Sequence, residues 1–248
     1  MSFAVPTAWD QLTQEQLRYV LRLLCLYGEH DGWEEKVQFN AFCFFCGIMC
    51  NKITPDGYMC EELSSGKAFI IEADLLPSAL EHVAWLTKTE NITVRIDRVG
   101  DYQAVDFKLQ SLSFGGYLQL ENLFQSFLQS RNKDCLVSMT MILYGIPEGG
   151  GTADIGEEVL MGVFLWFNAA KQILAREFPH FLKPVDGKEH PVTRESLAES
   201  MRVQLRLLSK GDVTKQKYIL EETDVWTALA ELDAQAWESE EMKKKYGK

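Results

Sequence analysis

Apolar residues recur at helical intervals from the start of the chain. Leu17, Val20, Leu21 and Leu24 repeat three and four apart, and Thr13 with Gln16 has the spacing of a capping box. This predicts a helix over 14–27, with Gly28 as its stop. The next apolar run predicts a second helix over 33–51, burying a face around Phe42, Phe45 and Met49. Between 52 and 110 the period changes. Segments 58–63 and 68–72 flank the polar turn Ser64-Ser65-Gly66-Lys67 and read as a β-hairpin. A helix over 73–87 follows, with Pro77 tolerable only in its first turn. Val94, Ile96 and Val99 then alternate with Thr93, Arg95 and Arg98. With the Gly100-Asp101 turn and a return over 102–109, this is the clearest period-two signal in the chain.

Helical spacing returns from Tyr117, predicting helices over 118–129, 135–144, 157–178, 193–209 and from Thr223 to about Ala236. Ser113-Phe114-Gly115-Gly116 reads as the turn that admits the first of these. Segment 147–152 reads as a flexible connector and 183–191 as a polar loop. Gly211 fits the position just past a helix end, with a short polar connector after it. The resulting fold class is mainly α (α+β), helical with a small antiparallel β-hairpin region at about 57–110. The expected division is an α+β body over 1–192 and a C-terminal helical segment over 193–248.

Composition narrows the function. The 248 residues carry 36 acidic against 25 basic side chains, a formal charge of −11. Nucleic-acid binding needs clustered cations to displace counterions at phosphates. The one cationic run, Lys243-Lys244-Lys245, follows Glu238, Glu240 and Glu241 and is largely neutralised. Nucleic acids and anionic membranes are therefore not expected partners. The apolar windows 41–50 and 159–167 are too short to span a bilayer and read as buried helices. The first residues lack a secretory pattern, so the expected location is the cytoplasm, where the six cysteines stay reduced.

Candidate chemistry is sparse. Cys43, Cys46 and Cys50, spaced by three and four, fall on one face of the predicted helix, with Cys60 as a further thiol. Zinc sites draw their sulfurs from turns that let them converge, so this Phe-rich helical frame suits buried thiols better than a metal. His30, His82, His180 and His190 are scattered and form no helical metal-binding pair. Gly149-Gly150-Gly151-Thr152 lacks the Gly-Lys-Ser/Thr ending of a phosphate loop. Glu61-Glu62, Glu157-Glu158 and Glu221-Glu222 are adjacent pairs that do not face each other. Neither a cofactor nor a catalytic residue is expected. The stripe Phe164, Trp166, Phe167 lies in a helix apolar on nearly all sides, which this chain's own core or a partner must cover.

Three ordered segments carry a resemblance. They are Pro6-Thr7-Ala8-Trp9-Asp10-Gln11-Leu12-Thr13-Gln14-Glu15-Gln16-Leu17, then Ser113-Phe114-Gly115-Gly116-Tyr117-Leu118-Gln119-Leu120-Glu121 with Leu143-Tyr144 beyond it, and Lys210-Gly211-Asp212-Val213-Thr214-Lys215 followed by Trp226 and Leu229. Together they resemble the tail assembly chaperone-like proteins of tailed phages and prophages. The sequence departs from that pattern at Lys210, where a glycine is usual, and in a longer hairpin region. The resemblance implies a non-enzymatic helper of tail morphogenesis. Its partner would be the long helical tape-measure protein or another tail protein, kept soluble while tube subunits polymerise around it. Such a role needs an apolar groove or helix face together with an acidic exterior. The candidate contacts are Val163, Phe164 and Phe167 on one helix and Trp226, Leu229 and Trp237 on the last. The competing readings are a structural or tail-completion component of the virion and a hydrolase without a recognisable motif, which would need a deep pocket of convergent polar groups.

Overall fold

Thr13 opens the first helix as the spacing predicts. Its side chain accepts from the Gln16 amide while the Gln16 side chain accepts from the Thr13 amide, so two orphan donors are satisfied reciprocally. The computed structural model describes residues 5–147, 149–150, 154–182 and 194–247. In chain order the elements are α1 (Gln14–Tyr27), α2 (Trp33–Cys46), β1 (Ile48–Thr54), β2 (Gly57–Glu62), β3 (Ala68–Glu72), α3 (Leu76–Glu81), β4 (Arg98–Val99), β5 (Tyr102–Gln103), α4 (Phe114–Ser130), α5 (Lys133–Tyr144), α6 (Glu157–Glu177), α7 (Arg194–Ser209), α8 (Val213–Glu221) and α9 (Val225–Tyr246). The expected class, mainly α with a small antiparallel β component, is what forms. Two compact units result, Met1–Asp97 with Gly156–Trp166 and Arg98–Ile155 with Phe167–Lys248. The expected boundary at 192/193 and the loop 183–191 lie outside the described residues, as do Glu148, Gly151 and Thr152 of the expected connector.

In the first unit α2 stops five residues earlier than expected. Gly47 takes φ +62° and its amide reaches the carbonyls of Cys43 and Phe44, closing the helix before the β-branched Ile48 starts a strand. The correction moves Cys50 off the helix and exposes Met49, which is 46% accessible. The buried face of α2 is Val37, Ala41, Cys43 and Cys46, with Phe42 and Phe45 half-buried. Strands β1, β2 and β3 make an antiparallel sheet in sequence order, one strand more than the hairpin the sequence predicts. Phe39, Phe42, Phe69 and Ile71 pack with Cys43, Cys46 and Ile48 between α2 and this sheet. Tyr19 of α1 stacks on Phe44 with centroids 4.0 Å apart. Such contacts add about 0.5–1.5 kcal/mol beyond simple burial. The helix expected over 73–87 is α3 followed by a separate 3-10 turn at Ala84–Thr87.

The strongest β signal in the sequence gives almost no sheet. Only Arg98–Val99 pairs with Tyr102–Gln103, and segment 92–97 runs without strand partners. Ile92 and Ile96 are buried as an alternating pattern demands. The backbone finds a helix side chain instead of a strand, because Gln14 Nε2 donates to the Arg95 carbonyl and its Oε1 accepts from the Asp97 amide. Period-two burial therefore reports an extended segment, not its hydrogen-bond partners.

The first part of α6 belongs to this unit and is the helix that the sequence leaves to be covered. Val159, Leu160, Val163 and Trp166 are buried in it. A Cβ on Gly162 would sit 3.1 Å from Leu21 and 3.4 Å from Ile96, so its absence lets α1 and the 92–97 segment come close. Arg22 and Arg18 hold Glu158 at 3.2 and 3.7 Å. Burial pushes the Glu158 carboxyl up, but hydrogen bonds from its own amide and Arg22 outweigh that and leave it below its ordinary value.

In the second unit α4 and α5 form a helical hairpin, turned at Arg131 (φ +56°) with Asn132 capping α5. Phe124 of α4 meets Phe167 of α6 edge-on at 5.2 Å, and Lys171 donates to Glu121 Oε1 at 2.7 Å. Two further corrections concern the C-terminal third. The connector after Gly211 contains a full helix, α8, whose N-cap Asp212 accepts from the Thr214 amide. The last helix runs on to Tyr246, ten residues past its expected end. Replacing Gln14 by alanine removes both bonds to segment 92–97. We expect a loss of about 1–2 kcal/mol of stability, read as a lower urea midpoint; an unchanged midpoint would show that water replaces them without cost.

Candidate interaction site

The two helical segments that carry the resemblance meet in space. Ser113 caps α4 by accepting from the Gly116 amide, and Asp224 caps α9 by accepting from the Thr227 amide and hydroxyl. The two caps lie side by side as an antiparallel bridge. The Phe114 amide donates to the Thr223 carbonyl at 2.8 Å, and the Val225 amide donates to the Leu112 carbonyl at 3.0 Å. Phe114, Gly115 and Gly116, expected as a turn before the helix, are its first turn. A Cβ on Gly115 would lie 2.6 Å from the Leu220 carbonyl oxygen, so glycine is what admits the end of α8 there. Trp226 closes the corner, donating from Nε1 to the Lys108 carbonyl at 2.8 Å and meeting Phe178 edge-on at 5.4 Å. The motif residues thus build the helical unit.

Core packing accounts for half of the expected contact residues. Val163, Phe167 and Leu229 are buried, while Phe164 and Trp226 are half-buried. Trp237 is different, at 49% exposure. It borders a concavity of about 420 Å³ whose other walls are Glu177, Phe178, His180, Ala230, Asp233 and Ala234. The small residues Ala230 and Ala234, one turn apart on α9, make the floor, and Phe178 supplies an aromatic wall. Asp233 Oδ1 accepts from the amides of His180 and Phe181, at 2.8 and 2.9 Å, which fixes the chain where it leaves α6. His180 Nδ1 lies 3.2 Å from Glu240 Oε2. The rim is therefore acidic and the interior apolar. Sequence reasoning selected Trp237 but not Phe178 or the Ala230–Ala234 step, because chain separation hides them from one another.

The thiols also regroup. Cys50 stands opposite Cys60 across β1 and β2, and Cys43 comes from α2 beside them. Burial pushes the Cys43 thiol up to about 12, with the neighbouring Cys60, Cys50 and Cys46 adding to it. Burial likewise raises Cys46 and Cys60 to about 11. These are apolar, protonated thiols. Among the described residues no group of three or more His, Cys, Asp or Glu side chains is arranged to hold a metal ion, and no helix is long and apolar enough to cross a membrane.

Comparison with protein-family models, with curated proteins and with solved structures gives no match in any of the three.

Two outcomes test this corner. The hydrogen bond from the Thr227 amide lowers the Asp224 carboxyl, against a smaller opposing effect of burial. A depressed carboxyl contributes stability above its unfolded value of about 3.9 and loses it as pH falls through the folded value. Asp224→Ala should therefore cost about 1–2 kcal/mol at neutral pH, and its deficit against the native chain should shrink below about pH 4. A deficit that persists undiminished at pH 3 in urea titrations would show that the carboxylate charge is not what matters. Gly115→Ala should destabilise by about 1–3 kcal/mol through overpacking against Leu220; a melting curve overlying the native one would contradict that close approach.

Proposed function

We propose that this chain is a non-enzymatic, protein-binding factor of tail morphogenesis in a tailed phage or prophage, acting as a chaperone that holds a helical segment of the tape-measure protein in the host cytoplasm. Two lines support the reading. Two of the three segments that carry the resemblance fold into one corner of the helical unit, Ser113 to Glu121 against Lys210 to Leu229. The concavity beside Trp237 has the chemistry a helical partner needs.

The observation that carries the reading is the exposed Trp237 indole at the edge of an apolar, acid-rimmed concavity. Tryptophan is the residue type most often found to dominate a protein interface when it is buried on association. The floor of alanines accepts one bulky apolar side chain, and the rim of Glu177 and Asp233 favours a partner helix with Lys or Arg beside that side chain. The chain's charge of −11 keeps such a complex dispersed while the partner's own apolar faces are exposed.

Co-expression with a tape-measure protein of a tailed phage tests this directly. The full chain should co-purify with that protein and keep it in the soluble fraction. Trp237→Ala, a surface change, should leave the melting temperature of this chain within about 2 °C and lower the captured partner at least tenfold, the effect of losing about 1.4 kcal/mol or more. Capture undiminished by the substitution would move the contact away from this concavity. A partner that stays insoluble with the native chain, joined to a fixed copy number of this chain in purified particles, would overturn the chaperone reading in favour of a virion component.

A further inference from the structure

The register of the small sheet sets two cysteines in a geometry that the rest of the fold does not use. The Leu63 amide donates to the Gly47 carbonyl, which makes Gly47 and Leu63 a hydrogen-bonded pair at the end of the β1–β2 ladder. Pairs alternate along an antiparallel ladder, so Ile48 with Glu62 is non-hydrogen-bonded, Met49 with Glu61 is hydrogen-bonded, and Cys50 with Cys60 is non-hydrogen-bonded. The other side of β2 agrees. The Glu62 amide donates to the Lys67 carbonyl, so Glu62 and, two residues on, Cys60 turn their peptide groups toward β3. Non-hydrogen-bonded partners approach most closely, with Cα atoms about 4.5 Å apart and side chains on the same face, inside the range a disulfide spans. The Cys50 thiol, whose Sγ lies 4.0 Å from the Lys52 carbonyl oxygen, is close enough to Cys60 to add to the effect of burial in raising it.

Access differs between the two sulfurs. Cys60 is fully buried. Cys50 is part-exposed and lines an open concavity of about 650 Å³ together with Tyr19, Phe44, Met49 and Ile53. The ladder slips immediately after Cys50, where the bulge at Asn51 shifts the register from Cys50–Cys60 to Lys52–Met59. A bulge loosens the pairing locally, giving the Cys50 side chain room to rotate toward its partner.

We propose that Cys50 and Cys60 form an oxidisable dithiol, a modification site that a hydroperoxide closes into a cross-strand disulfide. With hydrogen peroxide, the Cys50 sulfur attacks one peroxide oxygen, the O–O bond breaks, and water leaves once the departing oxygen takes the thiol proton. Cys50 is then a sulfenic acid. The Cys60 sulfur attacks that sulfur, the S–O bond breaks, and the departing hydroxide takes the Cys60 proton as a second water. Two thiols lose two electrons and two protons, and the peroxide is reduced to two waters. Cys50 meets the oxidant, and Cys60 resolves it from beneath. The high proton affinity of Cys60 makes this a slow closure at neutral pH, offset by the fixed proximity of the two sulfurs.

The experiment uses the full chain, reduced, desalted and exposed to hydrogen peroxide, then quenched by alkylation in acid. Trypsin cleavage after Lys36, Lys52 and Lys67 places Cys50 in the peptide 37–52 and Cys60 in 53–67. The expected result is an intact mass lower than that of the reduced, alkylated chain by two alkylation mass increments and about 2 Da, a link between those two peptides, and full recovery of both thiols with a dithiol reductant. Cys50→Ser, at the part-exposed position, should lower the linked fraction at least about tenfold, while Cys43→Ser and Cys46→Ser leave it unchanged. Thiols that stay reduced, Cys50 carried to sulfinic acid with no link, or a link that survives Cys50→Ser and so runs from Cys43 or Cys46 would each overturn the proposal. Peptide 37–52 also holds Cys43 and Cys46, so fragmentation of the linked peptides from the native chain, which shows which of its sulfurs still carry the alkyl group, decides the matter even where a core cysteine variant fails to fold.

Discussion

Two helix caps, bridged by backbone hydrogen bonds between the residues that flank them, organise the helical unit. Ser113 and Asp224 each satisfy the orphan amides of their own helix, and the residues flanking them exchange two backbone bonds. That exchange fixes where α4 and α9 begin relative to each other. It also places Gly115 under the last turn of α8 and Trp226 over Lys108 and Phe178. Helix starts are costly because their amides lack partners, and here one bridge settles the starts of two helices at once. Ser113 to Glu121 and Lys210 to Leu229 build this bridge, which gives their residue types a physical reason: a short capping side chain, a glycine under a carbonyl, and an indole with a donor to place.

The acidic chain manages its few buried charges by pairing them locally. Glu158 has Arg18 and Arg22, and Glu121 has Lys171 and Gln125 on one oxygen. The second Glu121 oxygen has no hydrogen-bond partner among the described residues, and the adjacent Tyr117 hydroxyl is held above its ordinary value by burial first and by that carboxylate second. Lys171 also lies over the Phe124 ring at 5.1 Å, so one cation serves a carboxylate and an aromatic face together. The solvent-facing carboxylates of α8 and α9 are left to set the surface charge.

Helices were legible where capping and period agree. Gln14–Tyr27 and Lys133–Tyr144 follow their spacing because Thr13 and Asn132 give the first turn a definite start. Reading failed where a tertiary partner decides. The alternation over 93–99 correctly marked Ile96 and Val99 as interior, yet the Arg95 carbonyl and the Asp97 amide bond to Gln14, which is eighty-three positions from Asp97. Helix α8 was missed because its sequence is polar and only Ile219 is buried, so no apolar stripe announced it. Trp237 stood out because a tryptophan in a polar helix is conspicuous, and the structure leaves it 49% exposed. Phe178 and the Ala230–Ala234 step were not, since only the fold brings the end of α6 to α9.

The bulge after Cys50 has one more effect. Strands β1 and β3 are the two margins of the small sheet, and an unpaired margin is a template on which a second chain can grow. On β1 the slip at Asn51 breaks the straight run of free peptide groups and is followed by the exposed Lys52. On β3 the strand is only five residues long and is bounded by Lys67 and Glu72. A neighbouring molecule finds no long, flat, uncharged border to extend. With Met49, Met59 and Ile70 facing water, that irregular margin opposes the addition of a further strand from a second chain.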